Sequence, residues 1–507
     1  MSKPRFFFYL SGAPVWVNLL KSVEFEHQAA FGIADDRSLD ALKLTSPDAE
    51  VLSFNRLKLG LFDRSRSAPL PSSVTRSGAY LERLQQAYYS LDRLAPAGYV
   101  EYQQRRLYLS ALGDFLWSYF QLSVPDYGLM TEAPHTAPDL LLAGIGEALG
   151  LPTIHFQGSS LAPVARVYQG PEYLPVKVSD SLDVDTEAGR LAALESLRGF
   201  IQEAIARSIG GKKTSFQEDF DRREVGRARE VWRSFYRPYS LLADERSQAA
   251  GWENGRGQLA YGEMATIHGV MRNSRTAWLS HKAVLVGAQQ LRKQRQLAHS
   301  HRAISAGVLP SECAVFFLQF EPERTSLPDG GTFSDQLHAV RCAAHAFEGK
   351  LPLVVREHPS HFAWTSRGFF VRMPKFYEEL ASIRNVVLST TEISHEEIMT
   401  RCKVALTLTG SAGLEVRSQG KPSIALGSAW YQGLPGIFSA NGEELSAQFV
   451  AEAIGWSDPL NFSLEESLMA LLRDYFIPMA VNPSVLSLFP DAQDDTESLL
   501  RLLNRMM

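Results

Sequence analysis

A glycine-rich turn with hydroxyl side chains follows an apolar run in the segment VALTLTGSAGLE, residues 404–415. The first amides of a helix lack intrahelical partners and carry a partial positive charge, so they attract anions. Glycine lets such a backbone approach a ligand closely, and hydroxyls add hydrogen-bond donors. We therefore expect Thr409, Gly410, Ser411 and Gly413 to surround a phosphate group. The alternative is a strand-to-helix turn that needs glycine for packing alone.

Two further strand patterns end in polar residues that suit phosphate and sugar recognition. Arg356 and His358 follow the run LVV, and both can donate to phosphate oxygens. Glu323 lies in the polar loop 319–333, where a carboxylate can hold sugar hydroxyls. Lys421, in the turn GKP, can help to neutralise phosphate charge. Open α/β sheets bind ligands at the carboxyl edge, so we expect a shared site there, with ordinary loop residues as the alternative.

The N-terminal half contains one candidate acid–base pair, Glu132 and His135 in the segment EAPH. A carboxylate beside a histidine on a loop can act as a general base, or can orient one. A capping turn before the following helix pattern is the competing interpretation.

An acidic pair, Asp183 and Asp185, is the one arrangement that resembles a divalent-cation motif. No apolar strand flanks it, so we interpret Asp185 or Thr186 as a helix N-cap. We expect no metal site, since the sequence also lacks Cys and His at metal-binding spacing. No cofactor is expected either.

The positions of strand and helix patterns predict an α/β fold with two Rossmann-like domains, a helical connector and a helical C-terminal tail. The expected divisions are 1–182 for an acceptor domain, 183–306 for the connector, 307–442 for a nucleotide-sugar domain and 443–507 for the tail. Within the connector, helices are expected at Thr186–Ser208, Glu218–Tyr236 and Thr276–His301.

The composition excludes several classes of protein. A net charge of −5 over 507 residues implies no strong field for nucleic acid. Three widely spaced cysteines, Cys313, Cys342 and Cys402, favour a reducing cytoplasm over a disulfide framework. No apolar run reaches the roughly 18 residues that cross a bilayer. We interpret Arg5–Leu10 as a buried strand, because SGAP interrupts the apolar run in which a signal peptide would lie.

Four segments together resemble a known family: QFEPERTSLPDGGTFSDQ, REHPS, LTLTGSAGLE and GKPSIALGSAWYQGLPGI. From Pro310 to Phe438 the chain resembles the C-terminal domain of bacterial capsule and lipopolysaccharide polysaccharide-biosynthesis glycosyltransferases. That group includes the retaining β-Kdo transferases of capsule export systems. Pro125–Phe156, with its EAPH segment, is similar to their N-terminal domain. The resemblance implies a GT-B fold, with a nucleotide-sugar donor in the cleft between two Rossmann-like domains.

The resemblance also implies roles for individual residues. It places His358, Thr409, Gly410 and Ser411 on the donor's phosphate. It directs Glu415 towards the ribose, places Glu323 near the donor sugar and makes Glu132 the catalytic carboxylate.

We therefore expect a metal-independent glycosyltransferase that moves a sugar, Kdo or a related acidic sugar, from a CMP- or UDP-linked donor. The expected acceptor is a bacterial surface polysaccharide or glycolipid. The expected location is the cytoplasm, either free or peripheral to the inner membrane or to polysaccharide assembly machinery. A polyol-phosphate transferase or a nucleotide-sugar 2-epimerase of similar fold is the enzymatic alternative. A non-catalytic scaffold of an assembly complex is the alternative of another class, favoured by the helical connector.

Overall fold

The chain forms two compact units. Among the described residues, the first contains 3–202 and 468–506, and the second contains 203–209 and 292–467. The computed structural model describes these segments: 3–10, 16–17, 20, 23, 27–36, 38–58, 60, 62–94, 102–159, 163–170, 174–209, 292–321, 323–362, 372–440, 445–459, 462–479 and 496–506. Within them, no helix combines the length and apolar character needed to cross a bilayer.

The described strands fall into two sheets. In chain order they are β1 (Arg5–Leu10), β2 (Gln28–Ala34), β3 (Glu50–Ser53), β4 (Tyr127–Met130), β5 (Thr153–Gly158), β6 (Val164–Gln169), β7 (Leu174–Pro175), β8 (Cys313–Phe317), β9 (Leu353–Arg356), β10 (Val386–Leu388), β11 (Cys402–Thr407), β12 (Ser423–Ala425), β13 (Ile437–Ser439) and β14 (Phe476–Pro478).

The described α-helices connect and cover these strands. They are α1 (Leu39–Thr45), α2 (Phe54–Lys58), α3 (Ser72–Thr75), α4 (Gly78–Leu94), α5 (Tyr102–Ser123), α6 (Ala137–Ala148), α7 (Val184–Ser196), α8 (Arg198–Ile209), α9 (Gln336–Phe347), α10 (Phe376–Ser382), α11 (His395–Arg401), α12 (Ala412–Ser418), α13 (Ala447–Gly455), α14 (Leu464–Tyr475) and α15 (Thr496–Met506). Residues 292–304 are also helical.

The sheet of the second unit is parallel throughout, in the order β10-β9-β8-β11-β12-β13. This is the doubly wound Rossmann order, and the strand order reverses between β8 and β11. Both faces of β8 are buried, as a parallel sheet requires. Phe316 packs with Val340 of α9, whereas Val315 packs in a separate cluster with Ile398 of α11 and Val416 of α12.

The sheet of the first unit has the order β14-β6-β5-β4-β1-β2-β3, with β7 paired to β6. The strands from β5 to β3 are parallel, and their order reverses between β1 and β4. Phe7 packs against α5 and α6, and Phe8 packs on the other face with Leu502 of α15. The predicted fold class is thus confirmed in its two doubly wound sheets.

Three details differ from the predictions. The tail contains a strand, β14, which pairs antiparallel with β6. The N-cap of α7 is Asp183, whose carboxylate accepts the Thr186 amide hydrogen at 2.9 Å, so neither Asp185 nor Thr186 is the cap. The predicted helix Glu218–Tyr236 lies outside the described residues, as do the first residues of the predicted helix Thr276–His301.

Candidate functional site

The order of the strands in the second sheet reverses between β8 and β11, and we call this place the switch point. The side chain of Gln319 bridges it. Gln319 follows β8, and its amide group spans to Thr409, which follows β11. The Gln319 Nε2 lies 3.3 Å from Thr409 Oγ1, and its Oε1 accepts the Thr409 amide hydrogen at 3.3 Å. The Gln319 backbone is in turn bracketed by the Gln336 side chain, at 2.7 and 3.0 Å. The carboxyl ends of β8 and β11 are therefore fixed relative to each other.

Thr409 forms more hydrogen bonds within the protein than the sequence alone predicts. Its hydroxyl also donates to the Thr325 carbonyl at 2.8 Å, which ties the loop after β8 onto the turn. Because its amide and hydroxyl hydrogens both have protein acceptors, Thr409 is built to hold the turn rather than to donate to a phosphate. The bonding of Thr409 therefore gives no support to its predicted phosphate contact, and the contacts predicted for its neighbours stay predictions.

Gly410 and Gly413 are required by close packing. The Gly410 amide donates to Thr407 Oγ1 at 3.1 Å, and its carbonyl accepts the Tyr431 hydroxyl hydrogen at 2.6 Å. A Cβ at Gly413 would lie 2.4 Å from the Tyr431 hydroxyl oxygen, and one at Gly410 would lie 2.8 Å from Thr407 Oγ1. Both glycines therefore allow close packing in this turn, and phosphate binding there stays a prediction.

Ser411 is exposed and Glu415 is half-buried in the same turn. The Ser411 hydroxyl donates to Glu415 Oε1 at 2.9 Å, and His395 Nε2 lies 3.2 Å from Glu415 Oε2. Burial opposes ionisation of Glu415, but these two partners hold its pKa below the usual range. Since α12 has seven residues, its dipole is small and the individual polar groups matter more.

His358 follows β9 and is held by its own neighbour. Its amide donates to Glu357 Oε1 at 2.8 Å, and its ring lies 5.7 Å from that of Phe320. Burial lowers the pKa of the His358 imidazole, Arg372 lowers it further, and the Glu357 carboxylate only partly offsets this. His358 is therefore neutral at pH 7 and offers a phosphate one N–H donor rather than a full charge.

Arg356 and Lys421, which the sequence predicts as phosphate contacts, donate to backbone carbonyls instead. Arg356 donates to the carbonyls of Thr390 and Thr391, at 2.6 and 3.4 Å, and so ties β9 to the loop after β10. Lys421 donates to the carbonyls of Met399 and Thr400 at the end of α11. That position caps a helix C-terminus and lies before β12, at the amino edge of the sheet. The structure thus separates Lys421 from Thr409, because a parallel sheet has distinct edges.

Glu323 lies in the loop that covers the turn. Its Oε2 accepts the Thr325 hydroxyl hydrogen at 3.2 Å, and its carbonyl accepts the Ser326 hydroxyl hydrogen at 2.8 Å. Thr325 is the residue whose carbonyl holds Thr409. Glu323 therefore belongs to the same carboxyl-edge loop as the switch point, as the sequence predicts, and it also shapes that loop.

A buried ionic network lies behind these residues, and the sequence analysis missed it. Glu357 is fully buried and accepts hydrogen bonds from Arg372, at 3.2 and 3.3 Å, and from the Tyr377 hydroxyl at 2.8 Å. Arg372 also pairs with Glu321 and stacks 4.3 Å above the Phe376 ring. Because Arg372 is separated from its partners by 15 and 51 residues, no local motif could have revealed it.

In the first unit, Glu132 lies at the corresponding reversal of strand order. It follows β4 by two residues, and the intervening Thr131 amide donates to the Tyr9 carbonyl of β1 at 3.0 Å. Burial, followed by the charges of Asp139, Glu132 and Asp35, raises the pKa of Tyr9 well above its usual range. Glu132 therefore lies close to a neutral phenol, in the position where such sheets bind ligands.

Asp139 fixes the loop that carries Glu132 and His135. Fully buried, it accepts the His135 amide hydrogen at 3.0 Å and the Thr136 amide hydrogen at 2.8 Å, and it forms a capping box with Thr136. His135 Nδ1 lies 3.0 Å from the Ala133 carbonyl oxygen. Since a carbonyl oxygen can only accept, Nδ1 is the donor in this contact. The segment EAPH thus leads directly into the capping box of α6, and the chemical roles of Glu132 and His135 stay predictions.

Replacing Asp139 with Asn is expected to lower the melting midpoint by about 4–8 °C. The substituted amide would present an NH₂ group to backbone donors, which costs about 2 kcal/mol for a buried capping group. Differential scanning calorimetry measures this. Asp185→Asn in α7 serves as the control, because Asp183 rather than Asp185 caps that helix. An unchanged midpoint for Asp139→Asn would contradict the capping role.

Comparison with known proteins gives one match in sequence and several in structure. The family described as capsule polysaccharide biosynthesis protein matches residues 278–445. None of the curated proteins matches the chain. The β-Kdo 2,7-transferase KpsC of Thermosulfurimonas dismutans is 16% identical over 43% of this chain, with a TM-score of 0.23. UDP-GlcNAc 2-epimerase of Methanocaldococcus jannaschii is 10% identical over 92% of this chain and 98% of its own, also with a TM-score of 0.23.

The match to the KpsC chain spans 62% of that chain's length. TM-scores of this size do not by themselves indicate a shared fold, so the fold assignment depends on the strand order of the two sheets. The family match covers β8 to β13 and the switch point between them. Residues 278–445 therefore match the family of capsule polysaccharide biosynthesis proteins, which confirms the resemblance predicted from the motifs between Pro310 and Phe438.

Proposed function

We propose that this chain is a glycosyltransferase of capsule polysaccharide synthesis that takes its sugar from a nucleotide-sugar donor. The observation that carries the proposal is the coincidence of two features in one unit. The capsule biosynthesis match falls on residues 278–445, and the same residues form the Rossmann-order sheet with its switch point. Nucleotides bind at such switch points because the loops there diverge and leave a crevice.

The donor phosphate binds at the carboxyl edge, between the ends of β9 and β11. These strands flank β8 on either side, so their ends are two strand spacings, about 10 Å, apart. A phosphate with its ribose can span this width. Ser411, which is exposed, turns its hydroxyl from Glu415 Oε1 to the phosphate, and His358, neutral before the donor binds, supplies an N–H donor. Donors of this kind, fixed before the reaction, stabilise the charge that develops on the leaving nucleotide.

Glu132 of the first unit is the proposed catalytic carboxylate. It either removes the acceptor hydroxyl's proton as that oxygen displaces the nucleotide, which inverts configuration, or it displaces the nucleotide itself. In the second case the acceptor then displaces the carboxylate from the glycosyl-enzyme, which retains configuration. His135 is the proposed partner in proton transfer, since Ala133 and Asp139 fix its ring nitrogen Nδ1. Tyr9, kept neutral, is available to donate a hydrogen bond beside Glu132.

The finer assignments belong to the same proposal. We propose a CMP- or UDP-linked donor carrying Kdo or a related acidic sugar, and a surface polysaccharide or glycolipid as the acceptor. The reaction is proposed to need no resident metal. The proposed location is the cytoplasm, free or peripheral to the inner membrane or to the polysaccharide assembly machinery. These assignments derive from the sequence resemblance together with the match over residues 278–445.

A donor screen tests the proposal. Purified protein is incubated with CMP-, UDP-, GDP- and CDP-linked sugars, and the melting midpoint is measured for each. A donor at one hundred times its Kd stabilises by about 2.7 kcal/mol, which is readily detected. We expect a CMP- or UDP-linked sugar to raise the midpoint, and transfer to require an acceptor. Conversion of the donor without an acceptor would indicate an epimerase, and no shift with any donor would favour a scaffold.

Donor binding is expected to take up protons at His358. The pKa of the free imidazole is lowered, and a bound phosphate raises it, so affinity should increase as the pH falls from 7.5 to 6. The increase cannot exceed about tenfold per pH unit for a single proton. Nucleotide sugars suit this test, because their esterified phosphates do not themselves titrate in that range.

Calorimetry in buffers of different ionisation enthalpy measures the uptake. His358→Gln is expected to abolish it and to weaken binding about tenfold, the worth of one hydrogen bond to a charged group. His338→Gln on α9 is the control. Equal proton uptake by the parent and the His358 variant would remove His358 from the phosphate site.

A further inference from the structure

We propose that Arg372 is a positioning residue for donor binding. It ties the carboxyl ends of β8 and β9 together, and so fixes His358 and the Gln319–Thr409 pair at the switch point before any ligand arrives. The inference depends on the proposed function, because it assigns Arg372 to the same phosphate-binding edge.

The contacts of Arg372 join two strand ends. Its guanidinium pairs with Glu321 and donates to the Gln319 carbonyl at 3.3 Å, and both acceptors follow β8. Its Nε and Nη2 also donate to the two carboxylate oxygens of Glu357, which follows β9, at 3.3 and 3.2 Å. A planar guanidinium makes such a forked contact, whereas a lysine ammonium cannot.

Each tie leads directly to a residue of the proposed site. Glu357, held by Arg372, accepts the amide hydrogen of His358 and so sets the start of the loop that carries the imidazole. Gln319, held through its carbonyl, bridges with its side chain to Thr409 across the switch point. Arg372 itself is 2% exposed, so it acts through these residues rather than on a ligand.

The charges of the network make Arg372 hard to replace. Burial opposes ionisation of both carboxyls. It raises the pKa of Glu321, whereas for Glu357 the guanidinium and the Tyr377 hydroxyl outweigh burial and lower the pKa to about 2. Glu357 is therefore charged at working pH, and a neutral residue at position 372 would leave that buried charge without compensation. Arg372→Lys keeps the positive charge and removes the forked pair of hydrogen bonds to Glu357, so it separates the effect of geometry from that of charge.

Calorimetric titration with CMP and UDP, each tested separately, measures the effect on affinity. We expect Arg372→Lys to weaken whichever nucleotide the parent binds by at least tenfold. The control is Arg401→Lys, because Arg401 binds the Leu309 and Pro310 carbonyls near the start of β8. The control is expected to bind nucleotide within twofold of the parent, even if both variants melt a few degrees lower.

A second readout separates positioning from stability. The His358 imidazole resonance in ligand-free protein, assigned by its absence in His358→Gln, is expected to shift or broaden in Arg372→Lys and to stay unchanged in Arg401→Lys. If Arg372→Lys does not fold, Glu321→Gln is the second variant. It keeps the Arg372–Glu357 pair and replaces the Glu321 carboxylate, which pairs with Arg372 from the loop after β8, by an amide. That variant is expected to bind at least threefold more weakly.

Unchanged nucleotide affinity and an unchanged His358 resonance in the folded variant would overturn the inference. Failure of the proposed function has a different signature, since the parent protein would then bind neither nucleotide. In that case the His358 imidazole resonance would still show whether Arg372 positions His358, because it is measured in ligand-free protein.

Discussion

Glu132→Gln is expected to reduce sugar transfer by a factor of about 10²–10⁴, the usual contribution of a positioned general base. The substitution removes the charge and proton affinity of the carboxylate with almost no change in volume. Donor binding should stay within twofold of the parent, because the proposed donor contacts, His358 and Ser411, belong to the other unit. The measurement is product formation with the donor that the screen selects, together with its Kd by calorimetry.

Two controls make this result specific. Glu82→Gln on α4 of the same unit makes the same carboxylate-to-amide change at an exposed position, and it should leave sugar transfer unchanged. The melting midpoint of Glu132→Gln should match the parent, because Thr136 and Asp139 form the capping box of α6 and Glu132 takes no part in it. Full activity in a folded Glu132→Gln protein would exclude this residue from the mechanism.

Gly413→Ala is expected to lower the melting midpoint by about 2–12 °C. The new methyl group would lie 2.4 Å from the Tyr431 hydroxyl oxygen, and overpacking of this kind costs about 1–3 kcal/mol. Because the Tyr431 hydroxyl donates to the Gly410 carbonyl, the displaced ring should also disturb the turn and weaken donor binding. Calorimetry measures both the midpoint and the affinity.

A double-mutant cycle tests the cause of that loss. Tyr431→Phe alone forfeits a buried hydrogen bond, which costs about 1 kcal/mol. Combined with Gly413→Ala it also removes the clashing oxygen, so the double variant should be more stable than the sum of the two losses predicts. Gly307→Ala is the matched control, because no atom lies within 4 Å of its added methyl group. Strict additivity would contradict the packing argument.

The sequence predicted the second sheet well, because its strands are apolar runs that end in short turns. The run LVV before Arg356 lies in β9, and the segment 404–415 contains most of β11 and the start of α12. The strand β14 was missed, because its three residues include a proline and lie within a mostly helical tail. Its pairing with β6 joins residues more than 300 positions apart, and periodicity carries no such information.

The site was predictable in its location and less so in its bonding. Thr409, Ser411, His358 and Glu323 all follow strands at the carboxyl edge, where the sequence places them. Arg356 resembles a phosphate ligand in sequence, yet backbone carbonyls bind it. Which partner satisfies a given donor depends on tertiary neighbours, and residue type alone does not encode them.

The most direct test of the central claim is hydrogen exchange with and without the donor that the screen selects. A nucleotide sugar at the switch point should protect the amides of residues 318–321, 323–326, 357–361 and 408–413, which meet at one edge of the second sheet. At a donor concentration near the parent's Kd, we predict protection of all these segments together and clearly less protection in His358→Gln. Protection at the amino edge instead, around Lys421 and Ser423, or no protection in this unit at all, would contradict it.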